Sequence, residues 1–122
     1  MEKSIVSTNR KAYHEFQIIE TFEAGIELLG SEVKSLREGN ASLRESYVLI
    51  KKGQAWLVGM HISAYSHTGF SGHEPVRKRR LLLHKNEILK INQKLAEKGL
   101  TVVPLKVYFN KRGWLKVEIG LA

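Results

Sequence analysis

The chain has 122 residues, 43% hydrophobic and 26% charged, which suits one domain with one core and is too short for two. It contains no cysteine, which excludes disulfides, thiolate metal sites and a cysteine nucleophile, and no apolar run approaches the roughly 18 residues of a membrane helix, so a cytoplasmic protein is expected. Twenty lysines and arginines against twelve carboxylates leave a net charge of +8, which predicts a polyanionic partner, nucleic acid first.

In chain order, residues 13–22 predict a first strand: Phe16, Ile18 and Phe22 fall at even spacing, with Glu15, Gln17 and Thr21 on the other side. The period then changes. Ser31 is a suitable N-cap for a short helix whose Val33 and Leu36 form an apolar edge and whose Lys34 and Arg37 form a cationic one, with Gly39 as its stop. Residues 47–50 and 55–62 read as a hairpin about Lys51, Lys52, Gly53 and Gln54, and Trp56, Val58, Met60 and Ile62 share a face expected to be core. Residues 63–75 show no periodicity, are rich in Gly, Ser and His, and are expected to form a mobile loop.

A longer helix follows. His84 stands at its cap with Glu87 three residues on, Leu83 and Ile88 are placed as a hydrophobic staple, Ile88, Ile91 and Leu95 make the buried stripe, and Gly99 ends it. Residues 102–109 and 114–119 close the chain as a hairpin, with Gly113 where the turn wants a positive φ and Pro104 expected at an edge or bulge. The fold class is therefore mainly β with helices, an α+β protein. A small antiparallel barrel of the oligonucleotide-binding kind fits, with the long helix between strands and the short one after the first strand; a plain α+β sandwich fits nearly as well.

The cations are grouped: Arg10 and Lys11; Lys34 and Arg37; Arg77, Lys78, Arg79 and Arg80 with Lys85; Lys111 and Arg112 with Lys116. Each group flanks an element boundary, where long side chains reach a phosphate surface from a fixed backbone. Phosphate contact is expected of them, against the alternative of a merely solvating run.

The stretch FEAGIELLGSEVKSLREG, together with NRKAYHEF, SYVLI, PVRKRRLLLHKNEI, EKGLTVVPLKVYF and KVEIGLA, resembles the family of small protein B, the SsrA-binding proteins, over nearly the whole chain. The resemblance implies a barrel that grips the tRNA-like domain of transfer-messenger RNA and supports its delivery to stalled ribosomes for trans-translation. No catalytic centre, metal or cofactor is expected, and the chain is expected to be a monomer. By motif, the RNA contacts are Asn9, Arg10 and Lys11, Glu23, and Leu82; charge and motif position add Lys34, Arg37, Arg80 and Lys116. His14, in YHEF, resembles the residue the family presents to the decoding region of the small ribosomal subunit. The family continues beyond KVEIGLA into a lysine-rich tail, so these residues alone are expected to bind the RNA without supporting tagging.

Glu23 is the unusual member of this set. A carboxylate is repelled by phosphates, so it serves RNA binding only by accepting from a base N–H, an amino group or a 2′-hydroxyl, or by orienting a cation. Leu82, in an apolar triplet, would by pattern be core; as a contact it would pack on an unstacked base or sugar. His14 is placed to stack on a base or hydrogen-bond to one. Two rival readings are weaker. His61, His67, His73 and Glu74 have metal-binding chemistry but lie mostly in the irregular loop without a fixed ligand spacing. A generic single-strand RNA binder wants a series of exposed aromatics, and only 8% of residues are aromatic, most of them on predicted core faces.

Overall fold

The computed structural model describes residues 4–64 and 73–122. The elements are β1 (Ser4–Thr8), α1 (Arg10–Glu15), β2 (Glu20–Ile26), α2 (Gly30–Arg37), β3 (Ala41–Ser42), β4 (Tyr47–Lys51), β5 (Gln54–Val58), β6 (His61–Ile62), β7 (Arg79–Leu82), α3 (Lys85–Lys98), β8 (Val102–Phe109) and β9 (Leu115–Leu121). Seven strands form an antiparallel sheet in the order β1-β8-β9-β2-β7-β5-β4, and β3 pairs with β6 apart from it. The sheet curls until β4 returns near β8, giving an open half-barrel. The α+β class and the barrel-like curl are as the sequence predicts.

The inner face is filled by Phe22, Ala24, Leu57, Leu81, Val107 and Ile119, and Leu36 of α2 and Ile91 of α3 pack into the same core. A smaller cluster on the other face joins Ala12 of α1 to Val103 and Leu105 of β8, with Ile18 beside them. Both longer helices form where predicted, but the N-cap of α2 is Leu29 and not the expected Ser31, which lies in the first turn with its hydroxyl 2.8 Å from His73 Nδ1. In α3 the carboxylate of Glu87 accepts from the His84 N–H at 2.9 Å, whereas the His84 side chain does not cap, and Gly99 closes the helix at φ 64. Pro104 sits at a bulge in the β8–β9 pairing, as its missing donor requires.

Two further expectations are corrected. Residues 10–15 are helical, and the strand expected over 13–22 begins only at Glu20. Asn9 decides this: its Oδ1 accepts from the Ala12 N–H at 3.3 Å, its Nδ2 donates to the Pro104 carbonyl at 2.8 Å, and its own N–H reaches the Leu105 carbonyl at 2.7 Å. The cap starts a helix that tertiary contact holds against β8, and Phe16, read as core, is an exposed C-cap residue. In β5 the inward residues are Ala55 and Leu57, while Trp56 and Val58 stay half-buried on the other face. Gly59, at φ 87, resets the alternation, so that Met60 and Ile62 turn inward again. A Cβ there would lie 2.9 Å from the Glu45 carbonyl oxygen, so no larger residue fits without displacement. Of the expected loop over 63–75, residues 65–72 lie outside the described residues.

β7 inverts the usual polarity of a strand: Arg79 points into the core beside Leu81, and Leu82 points out. Arg79 and Glu32 are both fully buried. The Arg79 guanidinium donates to Glu32 Oε2 at 2.6 Å, to the Met60 carbonyl at 2.8 Å and to the Pro75 carbonyl at 3.0 Å. Arg77 adds a two-pronged contact to Glu32, at 2.7 and 3.1 Å, and Glu32 Oε1 also accepts from the Leu29 N–H at 2.8 Å, which fixes the start of α2. Burial alone would raise the Glu32 carboxyl, but the hydrogen bonds from Arg77, Leu29 and Arg79 outweigh it and hold it below its ordinary value of 4.5. Its contribution to stability is therefore complete above pH 4.5 and declines as the pH falls through the depressed folded value. Glu32→Gln is expected to cost about 3–5 kcal/mol, because the two arginines lose their counter-charge in the core, and to flatten the acid limb of a urea-midpoint against pH curve; an unchanged midpoint would contradict this account.

Candidate nucleic-acid interface

Strand alternation sends one set of side chains to the outer face of the half-barrel. Phe22 and Ala24 are buried inward, so Glu23 between them points out. In the pairing register Glu23 lies opposite Glu118, Glu118 opposite Lys106, Tyr108 opposite Lys116, Gly25 opposite Leu82 and Trp56 opposite Arg80. Glu23, Leu82, Arg80 and Lys116, expected as contacts, thus share one face. Leu82 is 45% exposed, an apolar residue held outward by the same alternation that buries Arg79.

α1 lies on this face too. Gly120 is two residues from Glu118 and on the same side of β9, and a Cβ on it would meet Leu105 and Ile18 at 2.9 and 3.0 Å. The bare backbone lets the α1 connection seat closely, which brings Arg10, Lys11 and His14, all exposed, to the edge of the Glu23 surface. Asn9 has both ends of its amide engaged within the fold: Oδ1 caps α1 and Nδ2 donates to the Pro104 carbonyl of β8. A cleft of about 800 Å³ lies beside it, lined by Asn9, Arg10 and Lys11 on one side and by Arg44 and Tyr47 on the other.

Glu23 does not stand alone. The Tyr108 hydroxyl donates to Glu23 Oε2. Tyr108 is 1% exposed, and burial first, then the hydrogen bond to Glu23 and the charges of Glu23 and Glu118, push its phenol far above the ordinary value. The phenol is therefore a donor at every working pH. It fixes the carboxylate rotamer through one oxygen, and Oε1 of the exposed Glu23 remains to accept from a ligand. Glu118 is engaged by Lys106 at 3.8 Å. This arrangement was not read from the sequence, although Lys106 with Tyr108 and Lys116 with Glu118 show the period-two spacing that signals it.

Other predicted residues separate. Lys34 and Arg37 lie on α2, with the Arg37 guanidinium 6.0 Å from the Phe109 ring centroid. Phe109 packs with the inner core, so this is a second locality and not part of the Glu23 face. Arg80 is matched by Glu27 at 2.9 and 3.1 Å, which reduces its reach toward phosphate. Arg77 and Arg79, counted among the expected phosphate contacts, are committed to Glu32. Of the histidines weighed as metal ligands, His73 is buried with Nδ1 at 2.8 Å from Ser31 Oγ and Nε2 at 2.8 Å from the Ile62 carbonyl, His61 is exposed on β6, and His67 lies outside the described residues. No group of three metal-ligating side chains occurs among the described residues. Nor is any described helix long and apolar enough to cross a membrane.

Comparison with known proteins decides the lineage. Residues 6–122 match the family model described as SmpB protein. This chain belongs to the SmpB family. An SsrA-binding protein of Chlorobaculum tepidum is 61% identical over 94% of the chain and 73% of its own length, and one of Sulfurihydrogenibium is 57% identical over all of the chain and 80% of its own length. Among solved structures, one described as "tmRNA-SmpB: a journey to the center of the bacterial ribosome" superposes with a TM-score of 0.75 at 46% identity, covering 93% of this chain and 80% of that one.

The Tyr108–Glu23 contact carries its own test. Glu23→Gln removes the charge and weakens the bond that both raise the Tyr108 phenol, so its pKa is expected to fall toward 10.0 while burial keeps it above that value. Alkaline titration of a tyrosine-labelled protein by NMR reads this directly; a Tyr108 signal that titrates identically in both proteins would show that the two groups do not interact.

Proposed function

We propose that the chain binds the tRNA-like domain of transfer-messenger RNA and carries it to stalled ribosomes for trans-translation, acting in the cytoplasm as a single RNA-binding domain without catalysis of its own. The relatives named as SsrA-binding proteins and the neighbour described with the ribosome support the partners. The observation that carries the reading at residue level is a carboxylate held outward by a buried tyrosine, inside a field of net charge +8.

The roles follow from chemistry. Lys116 and the α1 cations Arg10 and Lys11 neutralise phosphates and release counterions, which supplies affinity without reading sequence. Glu23, with one oxygen fixed by Tyr108, accepts from a base or a 2′-hydroxyl and so supplies discrimination. Leu82 packs on a sugar or an unstacked base beside it. Asn9 positions α1, and His14 is the exposed residue of that helix offered to the decoding region. Lys34, Arg37 and Arg80 contribute charge at the margins.

Gel-shift titration against the tRNA-like domain tests this. Glu23→Gln is expected to lose about 1–3 kcal/mol, mostly as discrimination against other folded RNAs, and Leu82→Ala a comparable amount against the specific RNA. Lys116→Ala should weaken all RNAs alike and lower the salt slope by about one. Parent-like binding by folded Glu23→Gln and Leu82→Ala would refute the site, and a preference for unstructured RNA over the tRNA-like domain would favour a generic RNA binder.

A further inference from the structure

Four aromatic side chains expected on core faces or left unassigned are in fact exposed: Tyr13, Phe16, Tyr47 and Trp114. Trp114 is the extreme case, 66% exposed at the turn between β8 and β9. Its backbone is nevertheless fixed. Asn110 Oδ1 accepts from the N–H groups of Arg112 at 3.0 Å and Trp114 at 2.9 Å, and the Asn110 N–H donates to the Trp114 carbonyl at 2.8 Å. A large flat ring is therefore held out to solvent by a rigid turn.

Beside it lies a hollow of about 430 Å³ with an apolar floor of Phe109, Leu115, Leu28 and Val33. Among the described residues, the charged side chains that line it are Arg37 and Arg112, and no carboxylate does. Arg37 is already poised over the Phe109 ring at 6.0 Å. This is a pocket for something flat, apolar on its faces and anionic at its edge, which is the description of a nucleotide. An isolated apolar group would leave the arginines unused, and an inorganic anion would leave the aromatic floor unused.

We propose that the Trp114 hollow is a stacking site for one unpaired RNA nucleotide, with Trp114 and Phe109 receiving the base and Arg37 and Arg112 its phosphate. It is separate from the Glu23 surface: Tyr108 and Phe109 are successive residues of β8, and alternation sends the first to the outer face and the second to the hollow. The inference rests on the reading that RNA is the ligand, and adds to it a requirement for a nucleotide outside a duplex.

The test uses the full chain carrying Trp56→Phe, so that Trp114 alone emits. A short single-stranded oligoadenylate is titrated against it, beside a blunt RNA duplex of equal length and an acidic peptide of equal charge. The single strand is expected to quench Trp114 saturably. In the parent chain, Trp114→Ala should weaken oligoadenylate binding about ten-fold, with Trp114→Phe recovering most of the loss. Equal quenching by duplex or peptide, or unchanged affinity in Trp114→Ala, overturns the inference. A chain that binds the tRNA-like domain but not the oligoadenylate overturns the stacking site alone; one that binds neither overturns the functional reading as well.

Discussion

The buried contact between Glu32 and Arg79 is the constraint on which the rest of this architecture depends. Both groups lie wholly out of solvent, and such a pair persists only when nearly every lone pair and proton is matched. Here the matching is spread across the fold. Glu32 fixes the first turn of α2, Arg79 belongs to β7, and the guanidinium reaches carbonyls at Met60 and Pro75. One ion pair thus ties a helix, a strand and two connecting segments to a common point. Hydrophobic residues of the same volume would fill the space but would not dictate which segment meets which.

The orientation of β7 follows from that pair. With Arg79 inward, Leu81 faces the core and Leu82 faces out opposite Gly25, one residue pair along β2 from Glu23. A buried charge therefore determines where an exposed apolar side chain sits. The second polar anchor, Tyr108 to Glu23, works from the neighbouring strands and converts a flexible surface carboxylate into a fixed acceptor. The cations of the outer face and its one fixed acid are thus carried on different side chains.

Much of this was legible in the residues. The inward pair of Ile91 and Leu95, the Gly99 stop, the closing hairpin and the bulge at Pro104 all form as local pattern predicts, while Ile88, expected in the same stripe, stays half-buried. Legibility failed where long-range contacts override local period. Phe16 and Ile18 mimic a strand, yet Asn9 reaches across to β8 and begins a helix instead. Trp56 and Val58 look like core because their spacing continues through Met60, and only the φ of Gly59 reveals the reset. At the candidate site, motif alone picks out Glu23 and Leu82, since an acid and a leucine carry no local sign that the sheet will expose them on one face. The run RKRR misled in part: composition cannot tell an arginine bound for phosphate from one folded around Glu32, although strand alternation through Leu81 separates Arg79 from Arg80.

Gly120 has a consequence for how α1 is seated on the outer face of the sheet. Ile18 of the α1 connection and Leu105 of β8 both close on this residue, at distances that a Cβ could share only if their methyl groups shifted. The seat of the α1 connection is therefore shaped by a missing methyl group, a ruler whose zero mark is a hydrogen atom. One added carbon would leave every charge on the protein in place while pressing on the packing that seats the helix carrying them.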